Sequence, residues 1–260
     1  NGFAGSDLTY YNQFSDYYNP AQSVEVTTNY RSIWPIVDVG NALMKGFGTP
    51  ARSNSLGKGI IELIHTDRFT PTSREIRVFP GDRLTPSVLR IVKKSLSSGG
   101  NVALLSRTKS LPGFISNAGG QKGANTSDHF LTQIRSYLPE EDRSRVSIST
   151  VHKFKGLQST TVIILDASEQ KFPLVHPDII YTRIFGDTPA KTIEEERRLF
   201  YVALTRAKKS LYIFTDTGAI SPFLLDIDSH LSIIDWEKYP EPIVAGPGKR
   251  IFVLVGNTPE

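Results

Sequence analysis

The segment 150–158 places polar and charged side chains around a point where the chain can turn sharply. It reads Thr-Val-His-Lys-Phe-Lys-Gly-Leu-Gln and lies between two apolar stretches. A hydroxyl, an imidazole and two lysines therefore follow a predicted buried strand, and Gly156 permits the turn. In α/β folds, ligands bind at loops that leave the carboxyl edge of a parallel sheet. Two interpretations are open: a ligand-binding loop, or a solvated loop whose lysines have no special role.

A second segment, 194–209, begins with three glutamates and carries Arg206 near its end. Helical periodicity places Arg206 on one stripe with Leu199, Val202 and Ala203, and we expect the helix to be largely buried. A buried arginine is costly unless a group pairs with it. Arg206 is therefore either half of a buried ion pair with a carboxylate or a guanidinium held ready for phosphate, which its planar fork of donors suits.

A third segment, 28–32, reads Thr-Asn-Tyr-Arg-Ser and follows a short predicted strand. An aromatic side chain beside an arginine can stack on a base while the guanidinium contacts a phosphate. Tyr30 and Arg31 form such a pair, and a tyrosine packed in the core is the alternative interpretation.

The composition is that of a folded protein rather than a disordered or fibrous one. The 260 residues are 39% hydrophobic and 22% charged. Because no apolar run of about 18 residues occurs, we expect no membrane span. We also expect a cytoplasmic location, which fits a chain without cysteine. The absence of cysteine excludes a disulfide scaffold and a thiol nucleophile. The net charge of +4 is compatible with a nucleic-acid partner without identifying one.

Several familiar site patterns are absent from the sequence. It has no phosphate-binding loop, since 246–250 has the wrong spacing and lacks the Ser or Thr. It has no Gly-x-Gly-x-x-Gly after a strand, which disfavours a dinucleotide-dependent enzyme, and no Gly-x-Ser-x-Gly elbow. The 5 histidines lack metal-ligand spacing, so no metal site on this chain is predicted.

Alternating apolar and amphipathic stretches predict the elements that must position these side chains. Predicted strands cover 24–27, 57–64, 75–79, 101–107, 146–151, 161–166, 211–215 and, in the tail, 251–255. Predicted helices cover 36–45, 85–96, 127–138, 194–208 and 222–231. Thr192 and Glu195 predict a capping box, and 112–125 is predicted to be a flexible loop. The alternation predicts an α/β fold, a three-layer sandwich with a largely parallel sheet.

Taken together, these segments resemble the motifs of the C-terminal motor half of superfamily 1 DNA helicases of the UvrD/Rep type. The start of the chain, Asn-Gly-Phe-Ala-Gly-Ser, resembles the end of their motif III. Residues 28–32 resemble motif IV, 150–158 motif V and 194–207 motif VI, in the same order and spacing. The resemblance extends through 221–223 and is closest to bacterial helicase IV. It implies a RecA-like sandwich of the P-loop NTPase type that lacks the P-loop itself.

In that family ATP binds between two RecA-like domains, and the resemblance implies that this chain supplies the second. Tyr30 would stack near the adenine, while Arg31 and Arg206 would reach the γ-phosphate as catalytic residues, in the manner of an arginine finger. Gln158 would contact the nucleotide sugar at a position where family members usually carry Glu. The ligands of Mg²⁺ are expected on the N-terminal RecA-like domain, which would be the partner of this one.

The resemblance also implies contacts to DNA. Phe3 would stack on a base, and Arg107, Thr150 and His152 would contact the strand. For Arg107, a strand-end arginine in solvent is the alternative. The expected partner is single-stranded DNA or DNA with a 3′ single-stranded tail, with translocation from 3′ to 5′ and a role in DNA repair.

The predicted organisation follows from these motifs. Residues 1–23 would end motif III and connect from the N-terminal motor domain, and 24–235 would form the second RecA-like domain. A reduced insertion is expected within 50–145, and 236–260 forms a tail. The chain begins without methionine, so we expect part of a longer ATP-dependent DNA helicase that does not hydrolyse ATP by itself. The alternative is a non-catalytic nucleic-acid-binding or regulatory module that keeps the helicase fold.

Overall fold

A parallel sheet of six strands forms the centre of the protein. The computed structural model describes residues 13–18, 20–22, 24–110, 127–175 and 188–241. The strands in these ranges are β1 (Thr28–Asn29), β2 (Arg52–Ser53), β3 (Ile60–His65), β4 (Val102–Ser106), β5 (Val146–Thr150), β6 (Ser159–Ile164), β7 (Ala207–Thr215) and β8 (Ser232–Ile233). β1 pairs with β2, and the other strands form one sheet in the order β5-β4-β6-β7-β3-β8, with every pairing parallel.

Helices cover both faces of this sheet. Those within the described ranges are α1 (Phe14–Tyr17), α2 (Trp34–Leu43), α3 (Ser73–Val78), α4 (Leu84–Ser97), α5 (Ser127–Ser136), α6 (Glu140–Arg143), α7 (Pro189–Leu204) and α8 (Pro222–Leu225). One hydrophobic core lies between the sheet and α2, α7 and α8, and the other lies between the sheet and α4 and α5. Among the helices of the described residues, none is both long and apolar enough to cross a membrane.

This architecture confirms the predicted fold class, a three-layer α/β sandwich with a parallel sheet. The apolar stretches 101–107, 146–151 and 161–166 form β4, β5 and β6, each within about two residues of the predicted bounds. All side chains of β4 are buried, as expected for a central parallel strand that has helices on both faces. The range 50–145 contributes β3 and β4 to this sheet, so both strands are part of the domain rather than of an inserted one.

The prediction of a strand over 75–79 is wrong, because a capping box there starts a helix. The Thr72 hydroxyl accepts a hydrogen bond from the Glu75 backbone N–H at 3.2 Å, and the Glu75 carboxylate accepts one from the Thr72 N–H at 2.8 Å. These two backbone N–H groups would lack partners at the start of an uncapped helix, and here both are bonded. The helix α3 begins directly after Thr72.

The predicted capping box of Thr192 and Glu195 is also wrong. α7 begins earlier, at Pro189, and Thr188 caps it by accepting a hydrogen bond from the Lys191 N–H at 3.2 Å. Thr192 therefore lies inside the first turns of the helix, where its backbone N–H already bonds to the Thr188 carbonyl.

Two further predictions differ from the structure, and three fall outside the described residues. The stretch 24–27 forms no strand, since pairing starts at Thr28 in β1. The predicted closing helix over 222–231 is only the short α8, followed by a 3₁₀ turn at Asp228–His230 and then by β8 at the edge of the sheet. The predicted loop 112–125, the strand-like stretch 251–255 and the candidate DNA contact Phe3 lie outside the described residues.

The first residues of the predicted tail, 236–241, pack against the domain. Tyr239 is buried, and its hydroxyl donates a hydrogen bond to the Glu62 carboxylate on β3 at 2.6 Å. The Tyr239 carbonyl accepts a bond from Arg90 on α4 at 3.2 Å. Arg90 also lies over the rings of Phe69 and Trp236, so this cation joins the tail to α4.

Arg90 and Glu75 form a buried ion pair that ties α3 to α4, and its loss is expected to destabilise the fold. The guanidinium donates to both carboxylate oxygens, at 2.8 and 2.7 Å. Glu75→Ala removes the partner of a buried cation and half of the capping box, so we expect unfolding to become easier by about 3–5 kcal/mol. Urea unfolding of the chain measures this change. Arg77→Ala, an exposed change on the same helix, should stay within about 0.5 kcal/mol, and equal effects would contradict the assignment.

Candidate functional site

The segment 151–158 crosses the sheet from one edge to the other. β5 ends at Thr150 on the carboxyl edge, β6 begins at Ser159 on the amino edge, and β4 lies between these strands. Val151 and Phe154 are buried in the core on the α7 side, so the connection runs over that face. The prediction that this segment lies at the carboxyl edge therefore holds for its first residues only. Its last residue, Gln158, lies at the opposite edge because a parallel strand must start there.

Three predicted ATP-site residues come together at the amino edge: Arg31, Gln158 and Arg206. We call them the amino-edge cluster. The Arg31 Nε donates to the Gln158 side-chain oxygen at 3.1 Å, and the Arg31 Nη1 lies 3.5 Å from the Thr205 carbonyl oxygen. The Arg206 Nη1 donates to the Leu157 carbonyl at 3.3 Å, beside Gln158. Residues that are far apart in sequence thus form one continuous patch of two guanidinium groups and an amide.

Local hydrogen bonds hold Arg31 in this position. The Asn29 side-chain oxygen accepts from the backbone N–H groups of Arg31 and Ser32, at 2.8 and 3.0 Å, which fixes a tight turn after β1. The Ser32 hydroxyl then donates to the Ala207 carbonyl at the start of β7, at 2.6 Å. The turn that carries Arg31 is therefore fastened to the strand that follows Arg206.

Arg206 is a buried cation without a carboxylate partner. Its side chain is only 9% exposed, and among the described residues no Asp or Glu pairs with it. Its Nε donates to the Val202 carbonyl at 3.0 Å. Because a carbonyl is a neutral acceptor, this hydrogen bond does not neutralise the positive charge of the guanidinium. Burial, and secondly the charge of Arg31, lower the pKa of Arg206. Of the two interpretations of this arginine, the buried ion pair is therefore not the one found.

The predicted helical stripe that carried Arg206 is wrong in part. α7 ends at Leu204, and its buried positions are Glu196, Phe200, Ala203 and Leu204. Leu199 and Val202 are only half-buried. Arg206 lies beyond the helix, in the short link to β7, which begins at Ala207 rather than near 211. Its position is set by the turn between helix and strand, not by helical periodicity.

Tyr30 is not packed in the core. Its side chain is 77% exposed beside the amino-edge cluster. Leu157 and Trp34 are also exposed apolar side chains, at 56% and 45%. An aromatic ring at this position is available to a planar ligand.

Three of the predicted DNA contacts lie at the carboxyl edge, together with a residue that was not predicted. We call Arg107, Thr150, His152 and Glu196 the carboxyl-edge cluster. Ser106, which precedes Arg107, pairs in register with Thr150. The Arg107 guanidinium donates to both oxygens of Glu196, Nε to Oε2 at 2.9 Å and Nη2 to Oε1 at 2.7 Å. With a side chain only 14% exposed, Arg107 is not the solvated strand-end arginine that was the alternative.

His152 lies in the electrostatic field of this ion pair. Burial lowers the pKa of His152, and the positive charges of Arg107 and Lys155 lower it further, while Glu196 acts in the opposite direction. The Thr150 hydroxyl accepts a hydrogen bond from the Lys153 N–H at 3.4 Å, which starts the turn. Gly156 then has a φ of 89°, a left-handed conformation that favours glycine.

Glu196 was missed because no ion-pair partner was predicted for any of the three glutamates that begin the segment 194–209. The available signal was its spacing: it lies four, seven and eight residues before Phe200, Ala203 and Leu204, which are all buried on one face. A carboxylate on such a stripe needs a partner, and Arg107 is the one it has.

Two cavities lined by described residues include no predicted site residue. The larger, of about 650 Å³, is lined by residues around Asp67, Phe79 and Asp216. The smaller, of about 300 Å³, lies at the ends of β6 and β7. In the described part of the chain, no group of three or more His, Asp or Glu side chains is arranged to hold a metal ion.

Comparison with known proteins identifies relatives of the segment that carries most of both clusters. A family model described as "UvrD-like helicase C-terminal domain" matches residues 126–217. The chain is 43% identical over 72 residues to the putative ATP-dependent DNA helicase YjcD of Bacillus subtilis, which is 28% of this chain and 9% of that protein. It is 35% identical over 92 residues to the ATP-dependent DNA helicase PcrA of Staphylococcus epidermidis, which is 34% of this chain and 12% of that protein.

Among solved structures, the C-terminal domain of a possible DNA helicase from Lactobacillus plantarum WCFS1 matches 79% of this chain and 98% of that one, with a TM-score of 0.45 and 15% identity. The matched segments make up about a tenth of the curated relatives' length. The sequence matches support the prediction of a UvrD-like helicase C-terminal domain, whereas the closer similarity to helicase IV stays a prediction.

The surroundings of His152 predict a pH dependence of stability. Because the folded chain binds a proton on His152 less tightly than the unfolded chain, whose histidine pKa is near 6.5, protonation favours unfolding. Stability should therefore fall as the pH drops below about 6.5 and level off below the lower, folded pKa. An NMR titration, with His152→Gln to assign the resonance, measures the pKa. Arg107→Gln should raise it, and a folded pKa at or above 6.5 in the parent chain would contradict the prediction.

Because no carboxylate in the described part of the chain pairs with Arg206, we predict that this residue contributes little to stability. Arg206→Met removes a buried charge and its repulsion with Arg31, which offsets the loss of two hydrogen bonds to carbonyls. We expect the free energy of unfolding to change by less than about 1 kcal/mol. Arg90→Met, which strands the buried Glu75 carboxylate, should cost about 3–5 kcal/mol in the same urea series. An equally large loss for Arg206→Met would indicate a partner for its charge.

Proposed function

We propose that this chain is the C-terminal motor half of an ATP-dependent DNA helicase that translocates from 3′ to 5′ on single-stranded DNA. The observation that carries the proposal is the amino-edge cluster, where the guanidinium groups of Arg31 and Arg206 converge and no carboxylate of the described ranges pairs with them. A cytoplasmic location and a role in DNA repair belong to the same proposal.

The unpaired charge at the amino edge is suited to an anion that arrives from outside. Arg206 uses its Nε and Nη1 to reach backbone carbonyls, so further N–H groups of the fork are available for phosphate oxygens. A guanidinium that is already desolvated stabilises developing negative charge more strongly than one in water. In this proposal Arg206 is the arginine finger, and Arg31 binds the same γ-phosphate.

The neighbours of these arginines suit the remaining parts of a nucleotide. Tyr30 offers an exposed ring for stacking on adenine, and Gln158 holds Arg31 while keeping an amide for the sugar. The cluster contains no carboxylate and so does not fit Mg²⁺. We therefore propose that the N-terminal RecA-like domain of the same protein holds the metal and the phosphate-binding loop.

The carboxyl-edge cluster is the proposed contact with DNA. Arg107, Thr150 and His152 lie together at the ends of β4 and β5, and the relatives are named as DNA helicases. A cation, a hydroxyl and a neutral imidazole can all bind a phosphate backbone without reading the base sequence. The segment 151–158 joins this cluster to Gln158, so the two proposed ligands contact opposite ends of one connection.

The decisive test is the ATPase activity of the full-length protein with and without single-stranded DNA. We expect strong stimulation by DNA, and Arg206→Ala should lower the turnover number by about 10³-fold or more while DNA binding persists. The matched control is Arg198→Ala, which removes an arginine of α7 whose partner is Glu194, one helical turn away. Absence of ATP turnover in both the parent protein and Arg206→Ala would instead favour the non-catalytic nucleic-acid-binding or regulatory module.

The 260-residue chain alone provides a second test. Because it lacks a phosphate-binding loop, we expect no ATP turnover with or without single-stranded DNA, whereas fluorescence anisotropy should detect salt-sensitive DNA binding. DNA-stimulated hydrolysis that co-purifies with the chain through successive columns would contradict the proposal.

A further inference from the structure

Glu196 binds Arg107 through two parallel hydrogen bonds in a nearly dry environment. Glu196 is 7% exposed, and the two N–O distances are 2.9 and 2.7 Å. Such bidentate pairing fixes the plane of a guanidinium as well as its position. The Arg107 side chain therefore cannot sample the range of rotamers open to a surface arginine.

The pairing leaves part of the guanidinium available. Arginine has five N–H groups, and Glu196 takes one on Nε and one on Nη2. The Nη1 group and the second N–H of Nη2 point away from the carboxylate. The side chain is 14% exposed, and these remaining N–H groups are the donors that Arg107 has left for a ligand.

Glu196 also holds the backbone on the other side of the cluster. Its Oε2 accepts a hydrogen bond from the Leu174 N–H at 3.1 Å, in addition to the bond from Arg107. The Lys171 ammonium in turn donates to the Thr108 hydroxyl at 3.2 Å, next to Arg107. One carboxylate on α7 thus joins the end of β4 to the chain that follows β6.

We propose that Glu196 is a positioning residue for nucleic-acid binding: it locks the Arg107 guanidinium so that its free edge is held ready for a phosphate. This inference rests on the proposed function, because it takes the carboxyl-edge cluster to be the DNA contact. The carboxylate lowers the net charge of the cluster, so a purely electrostatic effect would make its loss strengthen DNA binding. A positioning role predicts instead that the loss of the Glu196 carboxylate weakens DNA binding.

The experiment is a double-mutant cycle on the full-length protein, with ATPase measured against the concentration of oligothymidylate. Glu196→Gln should raise the DNA concentration for half-maximal activity about tenfold, the scale of a hydrogen bond to a charged group, with kcat at saturating DNA within about twofold. Arg107→Ala should have a similar effect. The double variant should be no weaker than Arg107→Ala alone, because Glu196 acts through Arg107.

The matched control is Glu195→Gln, which removes the same charge from the same helix at the adjacent, half-buried position. It should leave the DNA concentration for half-maximal activity unchanged. If Glu196→Gln does not fold, Arg107→Lys keeps the charge pair but lacks the fork, and it should also raise that concentration about tenfold.

The outcomes separate this inference from the proposed function. A parent protein without DNA-stimulated ATPase would contradict the function itself. A stimulated parent in which Glu196→Gln binds DNA as tightly or more tightly would overturn only the positioning role. Additive effects in the double variant, or parental DNA affinity in Arg107→Lys, would overturn it as well.

Discussion

The pairing of β6 with β7 at the centre of the sheet is the constraint on which the amino-edge cluster depends. The Ser159 N–H donates to the Arg206 carbonyl at 3.1 Å, and the Arg206 side chain returns a bond to the Leu157 carbonyl. Because both strands are parallel and start side by side, the residues that precede them must meet. The end of the segment 151–158 and the end of α7 are therefore brought to the same place by ordinary strand pairing.

Two elements connect the edges of the sheet over the same face. The segment 151–158 runs from Thr150 to Gln158, and α7 runs from the region of Glu196 to the link that carries Arg206. Both are anchored in the core that contains Phe154 and Phe200. Close-packed interiors transmit small displacements instead of absorbing them. Packed core side chains therefore join the edge that carries Arg206 to the edge that carries Arg107.

Sequence patterns predicted those features that depend on local chemistry. Buried parallel strands require continuous apolar stretches, and β4 and β6 appear where such stretches occur. The pattern Thr-x-x-Glu illustrates the limit. It occurs at 72–75 and at 192–195, and only the first forms a capping box, because Thr188 starts α7 before Thr192 is reached. The two patterns are equal as local signals, so residues outside the pattern decide which one forms a capping box.

Local sequence patterns did not predict which groups pair with the buried arginines, because that pairing depends on tertiary contacts. Arg90 and Arg107 each meet a buried carboxylate from a helix elsewhere in the chain, whereas Arg206, among the described residues, bonds to carbonyls and lies near Arg31. The first two arrangements are complete within the folded chain, because each charge has an opposite charge at hydrogen-bond distance. The amino-edge cluster is not complete in that sense. An anion bound to both Arg31 and Arg206 would supply the missing opposite charge. A nucleoside triphosphate carries enough negative charge to do so.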